Sequence, residues 1–70
     1  MMPLSMVNIG ETKSIVKING KDDTKRFLEN LGFVEGTPVT VVSAISGNMI
    51  VSVKDARVAI DRSMANRVIV

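Results

Sequence analysis

The chain has 70 residues, of which 46% are hydrophobic and 3% aromatic, and nine basic against seven acidic side chains give a net charge of +2. This length suits a single domain, 1–70, and the weak, dispersed charge does not indicate binding to bulk nucleic acid. Because there is no cysteine and no histidine, disulfides, thiolate metal sites and imidazole-based catalysis are excluded.

Residues 1–8 are predicted to be a lead-in segment that packs one or two of Leu4, Met6 and Val7 against the domain. The segment lacks the basic start of a secretory signal, and no apolar run approaches the ~20 residues that a membrane span needs. The absence of cysteine also permits a reducing compartment. We therefore expect a cytoplasmic protein.

The first predicted strand follows Gly10 and runs from Glu11 to Ile18. Its alternation places Val16 and Ile18 on the inward face and leaves the direction of Ile15 open. The Asn19-Gly20 pair that follows is a strong break signal.

A short helix is predicted after this break, within the only stretch of the chain that has a helical period, Thr24–Gly36. Asp22 or Asp23 is expected to cap the helix, since a carboxylate accepts hydrogen bonds from the free N–H groups of the first turn. One apolar stripe at helical spacing is expected to cover the barrel, and it consists of Thr24, Phe27, Leu28 and Leu31.

The residues after the helix predict a stop and then a turn. Gly32 stands where a helix commonly ends in a left-handed residue. Val34–Thr37 matches a type II turn, with Gly36 supplying the positive φ at the third position.

The rest of the chain alternates as strands joined by short turns. Val39, Val41 and Ile45 are predicted to share one face of a strand that begins at Pro38. The following strands are Met49–Val53, Ala56–Asp61 and Arg67–Val70, joined by turns at 46–48 and 54–55 and by one 3₁₀ turn within 62–66. The periodicity predicts an all-β protein, a small SH3-like barrel of about five strands with one short inserted α-helix.

The helix, its glycine stop and the valine-rich strand after it closely resemble the FeoA family. That family's pattern runs from a basic residue and an apolar helix through Leu-Gly-aromatic, Pro and Gly to a Val-rich strand. Matching residues in this chain are Arg26, Leu28, Leu31, Gly32, Phe33, Gly36, Val39, Val41 and Val42. The resemblance covers about residues 4–70. It departs from the pattern in three connections, at Glu35 in place of proline, at the loop 45–48 and at the turn 54–55.

Members of the FeoA family are small proteins or domains with an SH3-like barrel, associated with the bacterial ferrous iron transporter FeoB. The resemblance implies a cytosolic accessory or regulatory protein that binds the cytoplasmic, nucleotide-hydrolysing part of FeoB and tunes ferrous iron uptake. Whether the protein forms oligomers stays open.

No metal site, cofactor or catalytic activity is predicted from the residues themselves. Ferrous iron prefers imidazole with carboxylate, and the nearest carboxylate pair, Asp22-Asp23, is explained by the helix start. No nucleophile lies beside an activating base, and no glycine-rich phosphate loop is present.

Two hypotheses for a binding surface follow. The first places contact with FeoB on the outer helix face and its exit, at Lys25, Arg26, Glu29 and Phe33, with Phe33 alternatively a plug of the barrel. The second is a regulatory or nucleic-acid-binding module that uses Lys17, Lys21, Lys25 and Arg26. A solvated face explains these basic residues better, because they are not accompanied by aromatic side chains that stack on bases.

Overall fold

The computed structural model describes all 70 residues, as six strands, two helices and one 3₁₀ turn. The 3₁₀ turn is Leu4–Met6, and the other elements are β1 Thr12–Ser14, β2 Lys17–Ile18, α1 Asp22–Asn30, β3 Pro38–Ile45, β4 Asn48–Val53, β5 Ala56–Asp61, α2 Arg62–Ala65 and β6 Val68–Ile69. One antiparallel sheet has the order β1-β3-β4-β5, and β2 pairs with β6 in a second. The prediction of a small all-β barrel with an inserted helix is confirmed.

The predicted first strand is divided in two because the chain passes from one sheet to the other at Ile15 and Val16. The N–H of Ile15 donates to the Thr37 carbonyl beside β3, whereas the N–H of Val16 donates to the Ile69 carbonyl on β6. This corner breaks the alternation, so Ile15 is buried with Ile18 while Val16 is 44% exposed. The prediction that Val16 points inward was wrong.

Helix α1 packs through a narrower stripe than predicted. Leu28 is fully buried, Thr24 and Leu31 are half-buried on either side of it, and Phe27 is 51% exposed. At 3.6 residues per turn Phe27 lies about 100° around the helix from Leu28, at the margin of the packed face. The capping prediction was also wrong, since Lys21 is the N-cap residue and no side chain caps the helix. Asp22 and Asp23 are instead its first two residues, where they still favour the positive end of the dipole.

The predicted glycine stop of α1 is confirmed, and its geometry explains the burial of Phe33. Gly32 has a φ of 108°, its N–H donates to the Glu29 carbonyl, and the N–H of Phe33 donates to the Leu28 carbonyl. These two bonds form a Schellman motif, in which the second residue after the cap packs back on the helix. Accordingly Phe33 and Leu28 are both fully buried.

The type II turn is confirmed as well. Gly36 has a φ of 83°, and the N–H of Thr37 donates to the Val34 carbonyl at 3.0 Å. The N–H of Gly36 also donates to the carbonyl of Ile15 at 2.8 Å, which ties the turn to the corner between the sheets. Pro38 then begins β3, as predicted.

Strand β3 contains a bulge that its pattern of hydrophobic and polar residues does not reveal. Val41 pairs with Val51 and Ser43 pairs with Ile50, which leaves Val42 as the extra residue. A bulge reverses the direction of the side chains beyond it. Ile45 is therefore 59% exposed, although it was predicted to share the inward face of Val39 and Val41.

The three strands after the turn form a tight meander. The β3–β4 and β4–β5 hairpins turn at Ser46-Gly47 and Lys54-Asp55, and all four residues have positive φ angles. Asn48, predicted to lie in the first loop, pairs with Ile45 at the start of β4. The predicted inward row of β4 is confirmed, since Met49, Val51 and Val53 are all buried.

Between β5 and β6 the chain makes one α-helical turn, α2, rather than the predicted 3₁₀ turn. Asp61 caps it, because its Oδ1 atom accepts a hydrogen bond of 2.8 Å from the N–H of Met64. Strand β6 then pairs with β2 and lies within the predicted last strand, Arg67–Val70.

The N-terminal segment completes the closure of the barrel. Met2 and Val70 exchange two backbone hydrogen bonds, of 2.9 and 2.8 Å. Leu4 and Val7 are buried and Met6 is 66% exposed, as expected for a lead-in that packs one or two of its apolar side chains. The fifteen buried residues of the protein are all hydrophobic, and no buried polar side-chain atom lacks a hydrogen bond.

The Lys54-Asp55 turn is expected to be a site where the protein can be stabilised. Its φ angles of 48° and 62° are those of a type I′ turn, which favours Asn-Gly. We predict that the double variant Lys54→Asn/Asp55→Gly raises the free energy of unfolding by about 1 kcal/mol, because it relieves left-handed strain at two positions. Urea titration of both proteins measures the change. Lys54→Gln/Asp55→Gln removes the same two charges without favouring positive φ, so a gain equal to that of the Asn-Gly variant contradicts the explanation.

Candidate partner-binding surface

The outer face of α1 presents charged side chains on a fixed backbone. Lys25, Arg26 and Glu29 are all exposed, while Leu28 anchors the opposite face of the helix in the core. Lys25 and Glu29 are four residues apart and therefore adjacent on the helix surface, on the other side of the buried stripe from Phe27. Arg26 points farther from the barrel.

A shallow groove of about 200 Å³ lies between this side of α1 and the type II turn. It is lined by Ile18, Lys25, Glu29, Phe33, Val34 and Glu35. Three of the four predicted contact residues therefore meet at one place, while Arg26 lies outside the groove. The lining combines an apolar part with charges of both signs, a composition that suits a small polar-rimmed protein contact.

Phe33 is placed differently from the prediction. Its side chain has no exposed surface, because the Schellman motif turns it onto Leu28 beneath the groove. Its inclusion in a contact surface was therefore wrong, and the alternative that Phe33 plugs the barrel is correct. Val34, the next residue, is 37% exposed and takes the apolar place in the groove that was assigned to Phe33.

Sequence reasoning missed Ile18 and Glu35 as groove residues. Ile18 lies at the end of β2, which is distant in sequence from the helix exit. The type II turn was recognised at Val34–Thr37, and the usual exposure of turn residues was the available signal for Glu35. Glu35 is the residue that stands in place of the family's proline.

A second groove of about 200 Å³ lies where the N-terminal segment meets the β3–β4 hairpin. Ile9 and Ile45, which are 63% and 59% exposed, contribute to it together with Arg62. Sequence reasoning missed this groove because Ile45 reaches the surface only as a result of the bulge at Val42.

The basic residues of the nucleic-acid hypothesis are exposed but belong to different elements. Lys17 lies in β2, Lys21 precedes α1, and Lys25 and Arg26 lie within it. The lysine and arginine of α1 are accompanied by Asp22, Asp23 and Glu29 on the same nine-residue helix, so no uniformly positive surface follows the helix.

No three acidic side chains come together in a group able to hold a metal ion. None of the helices is long and apolar enough to cross a membrane.

A family model described as the FeoA domain matches residues 2–70 of the sequence. The chain belongs to the FeoA family. This family is associated with ferrous iron transport, and the fold, the helix stop and the turn described above are those expected from the sequence resemblance.

Solved structures of FeoA proteins share the fold. A crystal structure of an iron uptake regulatory protein (FeoA) is 29% identical, with a TM-score of 0.89 over 96% of this chain and 91% of that one. The FeoA of Stenotrophomonas maltophilia, complexed with zinc and described as a procaryotic SH3 domain protein, is 28% identical. Its TM-score is 0.86 over 99% of this chain and 88% of that one. The SH3-like character of the predicted barrel is thereby confirmed.

A manganese-dependent transcriptional repressor also contains this fold, with 17% identity and a TM-score of 0.86. The match covers 94% of this chain and 38% of the repressor, and at this identity it shows the shared fold alone. No curated protein sequence matches the chain.

Proposed function

We propose that the protein is a cytoplasmic accessory protein of bacterial ferrous iron uptake that binds the cytoplasmic part of FeoB and regulates transport. The observation that carries the proposal is the FeoA domain match over residues 2–70. The relative from Stenotrophomonas maltophilia is itself described in terms of a ferrous iron transport activating factor. The protein acts through binding rather than through a reaction of its own.

The contact surface in this proposal is the outer face of α1 with the groove beside it. Lys25, Arg26 and Glu29 supply charges of both signs, and Val34 and Ile18 supply the apolar part. Opposite charges at the edge of a contact select a partner and its orientation, while the apolar part excludes water. The Schellman motif and the buried Leu28 fix the backbone of this surface, so binding orders side chains and not the main chain.

A titration of the purified cytoplasmic part of FeoB with the protein tests the proposal. We predict that Lys25→Glu/Arg26→Glu weakens binding about tenfold, which is the effect expected from reversing two charges at the edge of a protein contact. Arg62→Glu serves as the control, because it reverses a charge of the same sign at the second groove, away from α1. Its affinity is expected to stay close to that of the unmodified protein.

The possible results of this titration distinguish whether the protein binds FeoB from which of its surfaces makes the contact. Binding that is weakened by Arg62→Glu and unaffected by the double variant rejects the α1 surface and retains the function. Failure to bind FeoB, combined with a steeply salt-dependent affinity for DNA or RNA, overturns the function in favour of the nucleic-acid module.

A further inference from the structure

Strand β5 is an edge of the four-stranded sheet, and part of its backbone has no partner. It pairs with β4 on one side only. In a hairpin with a two-residue turn, the residues that flank the turn, Val53 and Ala56, form the first hydrogen-bonded pair. Hydrogen-bonded pairs then alternate along an antiparallel ladder, so Val58 and Ile60 also exchange hydrogen bonds with β4. The N–H and C=O groups of the alternate residues point away from the sheet.

These alternate residues are Arg57 and Ala59, followed by Asp61 at the end of the strand. All three side chains are exposed, and the backbone groups of Arg57 and Ala59 take part in none of the turn, loop or cap hydrogen bonds. An exposed strand edge of this kind is a template for pairing with another strand. The edge is apolar and small at its centre and carries opposite charges at its two ends.

The sequence of the edge is complementary to itself in the antiparallel direction. When two copies are paired with Ala59 opposite its own equivalent, Arg57 of each copy stands opposite Asp61 of the other. If the two-fold axis passes through Arg57, the two arginines stand opposite each other. If it passes through Val58, Asp55 of each copy stands opposite Asp61 of the other. Only the register centred on Ala59 places opposite charges across both ends of the strand.

We propose that β5 pairs with β5 of a second copy of this chain in that register, forming a two-fold symmetric dimer with one continuous sheet. This inference is independent of the FeoB contact, since it uses a different surface.

Packing favours the same register. Val58, which is half-buried in one copy, lies opposite Ile60 of the second copy on the inner face of the sheet. Ala59 is small enough to let the two strands approach without displacing a side chain. Asp61 keeps its role as the cap of α2 through Oδ1 and turns its other oxygen to the arginine of the second copy. The pair thus covers apolar surface at its centre and joins charges at its ends.

The first test measures mass as a function of concentration by sedimentation equilibrium. A short two-stranded interface belongs to the small, transient class, so we expect a dissociation constant on the order of 100 µM. Arg57→Glu places like charges at both ends of the register and is expected to weaken the dimer about tenfold. Arg67→Glu makes the same charge change after α2, outside β5, and is expected to leave the dimer unchanged.

The second test reads the register directly. Residues in a hydrogen-bonded antiparallel pair have Cα atoms about 5.5 Å apart, which is within reach of a disulfide. Because the protein has no cysteine of its own, Ala59→Cys introduces a single thiol at the two-fold axis. It is expected to form a covalent dimer on mild oxidation. Ala56→Cys, at an exposed position of the same strand but off the axis, is the control and is expected to cross-link much more slowly.

A protein that is monomeric up to millimolar concentration overturns the proposal. So does a dimer that Arg57→Glu and Arg67→Glu weaken equally, or equal cross-linking rates for the two cysteine variants. A dimer that is specifically weakened by Arg57→Glu and specifically trapped at residue 59 establishes both the surface and the register.

Discussion

Replacing Phe33 with alanine is expected to destabilise the protein by about 3–5 kcal/mol, the usual cost of removing a buried aromatic ring. Its side chain is fully buried in the same hydrophobic core as Leu28, so its loss leaves a cavity where the helix exit meets the barrel. At about 0.05–0.15 kcal/mol per residue, a domain of 70 residues has roughly 4–10 kcal/mol of stability. We therefore expect Phe33→Ala to unfold at a much lower temperature than the unmodified protein.

Phe27→Ala is the matched control, since it removes the same ring from a position that is 51% exposed. We expect it to cost less than about 1 kcal/mol, because the ring loses much less burial. Urea unfolding followed by circular dichroism compares the two variants with the unmodified protein. Equal losses for the two phenylalanines contradict the structural assignment of Phe33 to the core and Phe27 to the surface.

Gly32→Ala is expected to cost about 1–3 kcal/mol, through backbone strain alone. The φ of Gly32 is 108°, and side chains other than glycine rarely adopt such an angle. An added Cβ atom has its nearest neighbours, on Lys54 and Val53, at 3.7 Å, which is an ordinary contact. Crowding therefore contributes little to the predicted loss.

Gly32→Asn separates the two causes in the same unfolding experiment. Asparagine is larger than alanine but tolerates left-handed conformations better. If strain dominates, as predicted, the asparagine variant is the more stable of the two. If the alanine variant is the more stable, crowding dominates and the explanation is wrong.

The parts of the fold that follow from local chemistry were predictable from the sequence. Gly32 and Gly36 locate the helix stop and the type II turn, because each has a backbone angle that few other residues accept. The row Met49, Val51 and Val53 was predictable for a similar reason, since the extra residue of the bulge lies in β3 and the alternation of β4 is undisturbed.

The parts that were wrong depend on partners distant in the sequence. Val16 faces outward because the chain leaves β3 for β6 at that point, and Ile45 faces outward because β4 pairs with β3 across a bulge. Neither event changes the hydrophobic pattern of the segment in which it occurs. Periodicity read within one segment therefore cannot reveal them.

In the candidate contact surface, too, some features follow from the local sequence and others depend on the folded structure. The exposure of Lys25, Arg26 and Glu29 follows from helix geometry, and their role in binding FeoB remains a prediction. The choice between a contact role and a core role for Phe33 was not decidable from spacing, because an apolar residue directly after a helix stop suits either. The two hydrogen bonds that close the Schellman motif decide it.

The closure of the barrel between its two ends has a consequence for how the protein folds. Met2 bonds to Val70, and Lys17 pairs with Ile69, whereas the β3–β4–β5 meander is built from neighbouring segments joined by two-residue turns. Contacts that are distant in sequence require the loss of more chain entropy before they form. We therefore expect the meander to form early in folding, and we expect the barrel to close during synthesis only after Val70 has left the exit tunnel of the ribosome.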